Sequence, residues 1–141
     1  MAAAEFVGKF KLEKSDNFDD FMKALGVGYV LRKVGNSVYP ELTISNENDH
    51  VTLTSVSTFK TTTLEFDLNK EFQTTTVDGR KVRSTVTLED KKLVQKEYPL
   101  EGNDESKNCV YIRELDANND LKITCTVGDI ECVRLYKRLT K

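Results

Sequence analysis

The residues best suited to bind an anion stand near the end of the chain, in the stretch Glu131–Arg138. Apolar and polar side chains alternate there with the period of a β-strand, so successive residues point to opposite faces. One face carries Val133 and Leu135, and the other carries Arg134 and Tyr136. Either the Val/Leu face packs in the core and Arg134 meets water, or Arg134 is a buried cation that needs an anionic partner. Alternation alone cannot decide between these two arrangements.

The sequence has few residues or motifs that are typical of catalytic sites. His50 is its only histidine and follows an Asn-Asp pair that favours a turn, where we expect it to be exposed with no nucleophile beside it. Cys109, Cys125 and Cys132 are odd in number and lack Cys-x-x-Cys spacing, so we expect free thiols that pack as small apolar residues. The sequence also lacks a phosphate-binding loop and a nucleophile motif, so it predicts no enzyme, metal site or cofactor.

Length and charge indicate one soluble domain. The 141 residues are enough to bury a core, and no linker or low-complexity stretch divides them, so residues 1–141 are predicted to form a single domain. The net charge of −2 disfavours nucleic acid as a partner. The N-terminal residues do not resemble a signal peptide, and no apolar run reaches membrane-spanning length. We therefore expect a cytoplasmic protein that is not secreted.

Two short helices are predicted near the N-terminus, after a first strand over Val7–Leu12. Ser15–Asn17 are residues that favour helix N-caps. An apolar stripe at helical spacing follows them, formed by Phe18, Phe21, Met22 and Leu25. A second helix over residues 29–34 should end at Gly35-Asn36, which is a left-handed stop signal.

From Val38 onward the pattern predicts a succession of short β-strands. Segments rich in Val, Ile, Thr, Phe and Tyr alternate with turn residues. The predicted turns are Asn46–Asp49, Asn69-Lys70, Asp78-Gly79, Glu89-Asp90, Glu101–Asp104, Asn118-Asn119 and Gly128-Asp129. About ten strands result, and without intervening helices they should pair antiparallel and close into an up-and-down barrel without free edges. Ten strands are enough to enclose a cavity, and polar side chains can point into it.

Motifs along the whole chain resemble one known family. The segment Gly8–Gly26, followed by Val27-Gly28 and Arg32-Lys33, closely resembles the signature of the intracellular fatty-acid-binding proteins of the calycin group. Further matches follow in order at Ser57–Lys60, Glu71-Phe72, Asp78–Arg80, Ile112–Glu114 and Val133–Lys137. The resemblance implies an all-β, clam-like barrel of ten antiparallel strands, capped by a helix-turn-helix between the first two strands.

The resemblance also implies a ligand and its anchor. In this family two arginines and a tyrosine hold a fatty-acid carboxylate inside the barrel, and the matching positions are Arg113, Arg134 and Tyr136. Arg134 is therefore expected inside. A carboxylate with charge-assisted hydrogen bonds offsets much of the cost of burying a guanidinium. The implied function is to bind long-chain fatty acids in the cavity, for solubilisation and transport within the cell.

Other positions match residues that line the cavity or its portal in the family. They are Phe18, Phe21, Met22, Pro40, Ser57, Phe59 and Arg80. These residues could also have purely structural roles. The helical stripe would then pack on the barrel rim, Phe59 would be part of the core, and Arg80 would be exposed in its turn. Glu97 falls where the family often has a neutral polar cavity residue, and its register leaves open whether it points inward.

The resemblance leaves a choice of ligand class and implies further expectations about membranes, oligomeric state and loops. The same barrel serves carriers of retinoids, bile acids and other hydrophobic anions, which is the competing function. Lys23, Arg32 and Lys33 lie on or near the helices, where the resemblance implies transient contact with anionic membranes and the ordinary expectation is solvation. We expect a monomer. Tyr98–Asn108 and Leu115–Leu121 are longer than the family's usual hairpins, and we expect loops to absorb the difference.

Overall fold

The computed structural model describes residues 2–100 and 105–140, and ten β-strands and two α-helices make up most of this part of the chain. The strands are β1 (Gly8–Asp16), β2 (Glu41–Glu47), β3 (His50–Val56), β4 (Thr61–Asp67), β5 (Phe72–Thr75), β6 (Lys81–Glu89), β7 (Lys92–Pro99), β8 (Cys109–Leu115), β9 (Leu121–Val127) and β10 (Ile130–Thr140). The helices α1 (Phe18–Ala24) and α2 (Tyr29–Ser37) lie between β1 and β2, and short 3-10 helices cover Ala2–Phe6 and Glu105–Lys107.

All ten strands belong to one antiparallel sheet. Its order is β4-β3-β2-β1-β10-β9-β8-β7-β6-β5, so every strand except the β4–β5 couple pairs with its neighbour in sequence, and the first strand also pairs with the last. The sheet curves into a nearly closed barrel with the two helices between β1 and β2. The predicted all-β architecture, ten strands with a helical pair, is confirmed.

The barrel does not close completely by backbone hydrogen bonds. No ladder joins β4 to β5, both of which lie wholly within the described residues, so the expectation of a barrel without free edges is wrong at this point. Side chains bridge the gap instead: the rings of Phe66 and Phe72 stack with centroids 5.4 Å apart and planes 10° apart. Aromatic packing thus replaces strand pairing at one seam of the barrel.

Asparagine, aspartate and glycine turn the chain between strands where the sequence predicted. Asn48 and Asp49 both adopt positive φ angles, 53° and 66°, between β2 and β3. Such angles fit the twist of a tight hairpin and are tolerated by these two residue types. Gly128 supplies a φ of 55° between β9 and β10. The predicted turn at Glu101–Asp104 lies outside the described residues.

The end of β1 and the end of α2 differ from the predicted positions, because contacts with distant residues determine both. β1 continues to Asp16, because its last residues pair with β10. Asn17 takes the N-cap position of α1 with φ 64°, but its side chain donates to the Glu131 carbonyl oxygen at 2.9 Å and makes no cap hydrogen bond. The second helix runs through the expected stop to Ser37, where a Cβ on Gly35 would stand only 2.9 Å from the Met22 sulfur. Gly35 therefore serves close packing of the helices instead of ending α2.

Neither helix could cross a bilayer. In the part of the chain that the structure describes, no helix is long and apolar enough to span a membrane. The α1 and α2 segments have 7 and 9 residues.

Polar side chains occupy part of the inner wall of the barrel. Along β6 and β7 alternate residues are buried, as expected for strands with one face inside. The inner face of these strands and of β8 includes four buried polar residues, Ser84, Gln95, Glu97 and Arg113. The interior is therefore chemically mixed on the side formed by β6, β7 and β8.

Candidate functional site

The inner face of β10 is the face that carries Arg134 and Tyr136. Tyr136 is only 6% exposed and Cys132 is fully buried, whereas Leu135 on the opposite face is 37% exposed. The Val/Leu face of this strand therefore points outward. Arg134 lies on the same face of the strand as Tyr136 and is partly buried.

Strand register brings the second arginine onto the same level of the barrel. Ile123 of β9 pairs with Arg113 of β8 on one side and with Arg134 of β10 on the other. The two arginine backbones are thus two strand spacings apart, about 10 Å. Both side chains are long enough to converge on one ligand group placed between them.

Arg113 is a buried cation that forms no ion pair with any carboxylate of the described residues. It is 9% exposed, and its Nη1 donates to the Gln95 side-chain oxygen at 2.9 Å. The Gln95 amide in turn donates to Ser84 at 3.1 Å. No ion pair within residues 2–100 and 105–140 includes Arg113, and its Nε is buried without a hydrogen-bond partner. Burial lowers the pKa of this guanidinium, which nevertheless remains charged at neutral pH.

Arg134 is held by aromatic and hydroxyl groups. Its Cζ lies 3.9 Å from the centroid of the Phe18 ring and 6.0 Å from that of Tyr136, both within cation–π range. Its Nε donates to the Ser15 hydroxyl at 3.1 Å. As with Arg113, no described carboxylate forms an ion pair with it.

Tyr136 completes a set of donors. Burial is the main cause that raises the pKa of its hydroxyl above the ordinary value, so the group stays protonated and can donate a hydrogen bond at neutral pH. Two guanidinium groups and a phenol can bind an anion strongly through charge-assisted hydrogen bonds. The set contains no general base, so its chemistry is that of binding.

The apolar stripe of α1 faces the barrel. Phe21 and Met22 are buried, and the Phe21 ring meets the Tyr111 ring of β8 edge-on at 6.1 Å. Phe18 stacks on Phe21 at 6.5 Å and also contacts Arg134. These residues cover the interior from the helix side, so the stripe both packs against the wall and contacts one candidate anchor.

A surface groove separates α2 from the turn between β3 and β4. It encloses about 320 Å³ and is lined by Tyr29, Val30, Lys33, Val34, Ser37, Val38, Thr58 and Phe59. Phe59 is 49% exposed, so it is not ordinary core. The Ser57 hydroxyl accepts from the backbone amides of Phe59 and Lys60, which makes it part of this turn. Pro40 is buried and its carbonyl oxygen accepts from the Leu12 amide.

Sequence reasoning left open the positions of Arg80 and Glu97, and the structure places them together. Glu97 is 4% exposed on the inner face of β7, and Arg80 is half-buried just before β6. Arg80 Nη1 lies 3.6 Å from Glu97 Oε2, and Tyr111 donates to the same oxygen at 3.2 Å. Burial is the main cause that raises the pKa of Glu97. The strand period could have predicted this position for Arg80, because every second residue after it, namely Val82, Ser84 and Val86, is buried.

The remaining reactive groups show no catalytic arrangement. His50 is the first residue of β3 instead of a turn residue, and its ring nitrogens meet Asp67 at 2.9 Å and Glu65 at 3.2 Å. The three cysteines are buried and free, as expected. Burial raises the pKa of the Cys109 thiol to about 12, so it is not a nucleophile at neutral pH. Among the described residues, no group of His, Cys, Asp and Glu side chains could hold a metal ion.

The chain is similar to known proteins along most of its length. Residues 7–139 match the model of the lipocalin / cytosolic fatty-acid binding protein family. Over 138 residues the chain is 39% identical to the 14 kDa fatty acid-binding protein of Schistosoma mansoni, covering 97% of this chain and 99% of that protein. It is 37% identical over 137 residues to the sodium/calcium exchanger regulatory protein 1 of Doryteuthis pealeii, covering 97% and 98%.

A solved structure has the same fold with a ligand bound. The complex of a Schistosoma mansoni fatty acid binding protein with arachidonic acid superposes with a TM-score of 0.89 at 38% identity, covering 99% of each chain. Its family consists of lipid carriers without enzymatic activity. The chain described here belongs to the lipocalin / cytosolic fatty-acid binding protein family, and it is not an enzyme.

Proposed function

We propose that this chain binds a long-chain fatty acid inside its barrel, with the carboxylate among Arg113, Arg134 and Tyr136, and carries it through the cytoplasm as a monomer. The observation that carries the proposal is the buried Arg113 guanidinium, which has no described carboxylate partner and a buried Nε without a hydrogen bond. A ligand carboxylate supplies both the missing charge and the missing acceptor. The arachidonic acid bound to the Schistosoma mansoni relative supports the same ligand class.

Head and tail contribute differently to affinity. Burying an alkyl chain stabilises the complex by about 0.8 kcal/mol per methylene, so the tail provides most of the favourable free energy. The arginines select for a charged head and set its orientation, because a neutral head leaves the buried guanidinium of Arg113 uncompensated.

The first test is calorimetric titration of delipidated protein with oleate and with oleyl alcohol. These ligands have the same tail and differ at the head. The native protein should prefer oleate, and Arg113→Met should remove about tenfold or more of that preference. Arg83→Met is the matched control, because Arg83 is partly exposed and pairs with Glu71 away from the cluster.

Two outcomes would contradict the proposal. If the native protein binds no fatty acid but does bind a retinoid or a bile acid, the competing carrier function applies. If the native protein and Arg113→Met distinguish oleate from oleyl alcohol equally, the carboxylate lies elsewhere. Light scattering of the same samples tests whether the carrier is a monomer.

The groove beside α2 supports transfer by transient contact with anionic membranes. Tyr29 and Val30 are 66% and 73% exposed, and Phe59 faces them across the groove. The Lys33 ammonium lies 5.7 Å from the Tyr29 ring, so a cation stands beside the apolar surface. Arg32 also lies beside the Tyr29 ring, at 5.9 Å, and in addition it pairs with Asp19 and donates to the Val27 carbonyl oxygen. Exposed aromatic and aliphatic groups next to a cation suit the surface of an anionic bilayer.

Transfer of a fluorescent fatty acid to vesicles with phosphatidylserine tests this contact. The rate should rise with vesicle concentration, and Lys33→Glu should slow it several-fold. Lys96→Glu is the control with the same charge change, on exposed β7 surface. A rate that is independent of vesicle concentration would show release into water before transfer.

A further inference from the structure

A second polar cluster lies inside the barrel beside α1, apart from the Arg113 and Arg134 level. It comprises Asp78, Arg80, Glu97 and Tyr111. The ring of Tyr111 contacts Phe21 of α1, which places the cluster under the helices. The proposed head-group site does not use any of these four residues.

The orientation of the Arg80 guanidinium is fixed from one side. Its Nε and Nη2 donate to the two Asp78 oxygens at 2.7 and 3.3 Å. The Thr76 hydroxyl holds the same carboxylate at 2.7 Å. This two-point contact leaves Nη1 directed towards Glu97, and Nη1 is buried without a hydrogen-bond partner.

Arg80 and Glu97 are close enough to attract each other but do not form a hydrogen bond. Nη1 and Glu97 Oε2 are 3.6 Å apart, which permits attraction between charges but is too long for a hydrogen bond. A buried donor without an acceptor is costly. A hydroxyl group can accept from Nη1 and donate to the Glu97 carboxylate at the same time, whereas a methylene can do neither.

We propose that this cluster binds a hydroxyl group on the alkyl chain of the ligand, so that the protein favours hydroxylated long-chain fatty acids. The proposal rests on the proposed function, because the head group must lie near Arg113. Glu97 pairs with Cys109, four residues before Arg113 on β8, which corresponds to about 13 Å along the strand. An extended eighteen-carbon chain is longer than this, so the cluster meets the middle of the chain.

The competing explanation is that Arg80 only neutralises Glu97 in the folded protein. In that case a ligand hydroxyl finds no partner, and burying it lowers affinity by about tenfold or more relative to the unmodified chain. The two explanations therefore predict opposite preferences between otherwise identical ligands.

Oleate and ricinoleate are such a pair, since ricinoleate is oleate with a hydroxyl on its twelfth carbon. Calorimetric titration should show that the native protein binds ricinoleate more tightly than oleate. In Glu97→Leu and in Arg80→Met, ricinoleate should bind about tenfold more weakly relative to oleate. Arg83→Met should keep the native ratio, because Arg83 pairs with Glu71 and stacks on Tyr98 outside the cluster.

The outcomes separate this inference from the function on which it rests. If the native protein binds oleate but binds ricinoleate equally or more weakly, the hydroxyl site is overturned and the carrier function stands. An unchanged ratio in both cluster variants also overturns it. Absence of oleate binding overturns both. If neither variant folds, stearate hydroxylated on the second, tenth or twelfth carbon tests the native protein directly, and a response that does not depend on position refutes the site.

Discussion

The guanidinium of Arg113 should weaken the ligand-free protein while it strengthens the complex. Removing a charge from water without an ionic partner costs several kcal/mol of folding free energy. The hydrogen bond to Gln95 offsets only part of this cost. Arg113→Met should therefore raise the free energy of unfolding of delipidated protein by about 1–2 kcal/mol. Urea titration of native protein and variant measures this, and Arg83→Met should stay within about 0.5 kcal/mol. A less stable Arg113→Met would show that the hydrogen bond outweighs the desolvation.

Glu97 should make the protein less stable as pH rises. Burial raises the folded pKa of Glu97 above the ordinary value of 4.5, so between these two values the folded state holds a proton that the unfolded state has released. Stability from this group is present at low pH and decreases as pH rises through the folded pKa. In urea titrations at several pH values, Glu97→Gln should gain stability relative to native protein from pH about 4.5 upward. A difference that is constant with pH would mean that Glu97 titrates normally.

The site could be predicted from sequence only as far as residue types and register allow. Alternation placed Arg134 and Tyr136 on one face but could not say which face was inside, because a cavity admits polar side chains. The resemblance supplied that choice, and the exposure of Leu135 agrees with it. The position of Glu97 opposite Arg80 could not be predicted, because it depends on how Asp78 orients the guanidinium within a turn.

At the level of elements, ion pairs of His50 with Glu65 and Asp67 link β3 to β4. Hydrogen bonds that the protonated imidazole donates to Asp67 and Glu65 raise its pKa above 6.5. This interaction stabilises the protein below pH about 6.5 and is lost as pH rises through the folded pKa. Because His50 is the only histidine, one pair of imidazole NMR resonances reports its titration. Asp67→Asn should lower the measured pKa, whereas Asp129→Asn, in a distant turn, should not. A native pKa at or below 6.5 would contradict the arrangement.

The elements themselves were predictable wherever local chemistry defines them. Turn residues such as Asn48-Asp49 and Gly128 separated the strands correctly. Boundaries failed where long-range contacts decide: β1 continues to Asp16 because β10 pairs with it, and Gly35 lies inside α2 because Met22 packs against it. Local sequence does not contain either partner.

For the whole molecule, the seam between β4 and β5 should depend on aromatic packing. Phe66 is 3% exposed and stacks on Phe72 across the gap, so Phe66→Ala should cost about 3–5 kcal/mol. Phe59→Ala, which removes a ring that is 49% exposed, should cost far less. Urea titration gives both values, and hydrogen exchange should show faster opening of β4 and β5 in Phe66→Ala. Equal costs would show that the seam does not rely on the stack.

The pairing of β1 with β10 also has a consequence for the order of events during synthesis. Lys9 pairs with Thr140, so residues far apart in the sequence must meet before the barrel exists. Contacts of such sequence separation form slowly, because a long loop must close first. Arg134 and Tyr136 lie on β10, the last of the ten strands to be synthesised, so the proposed carboxylate site cannot form on the ribosome before this strand has been made.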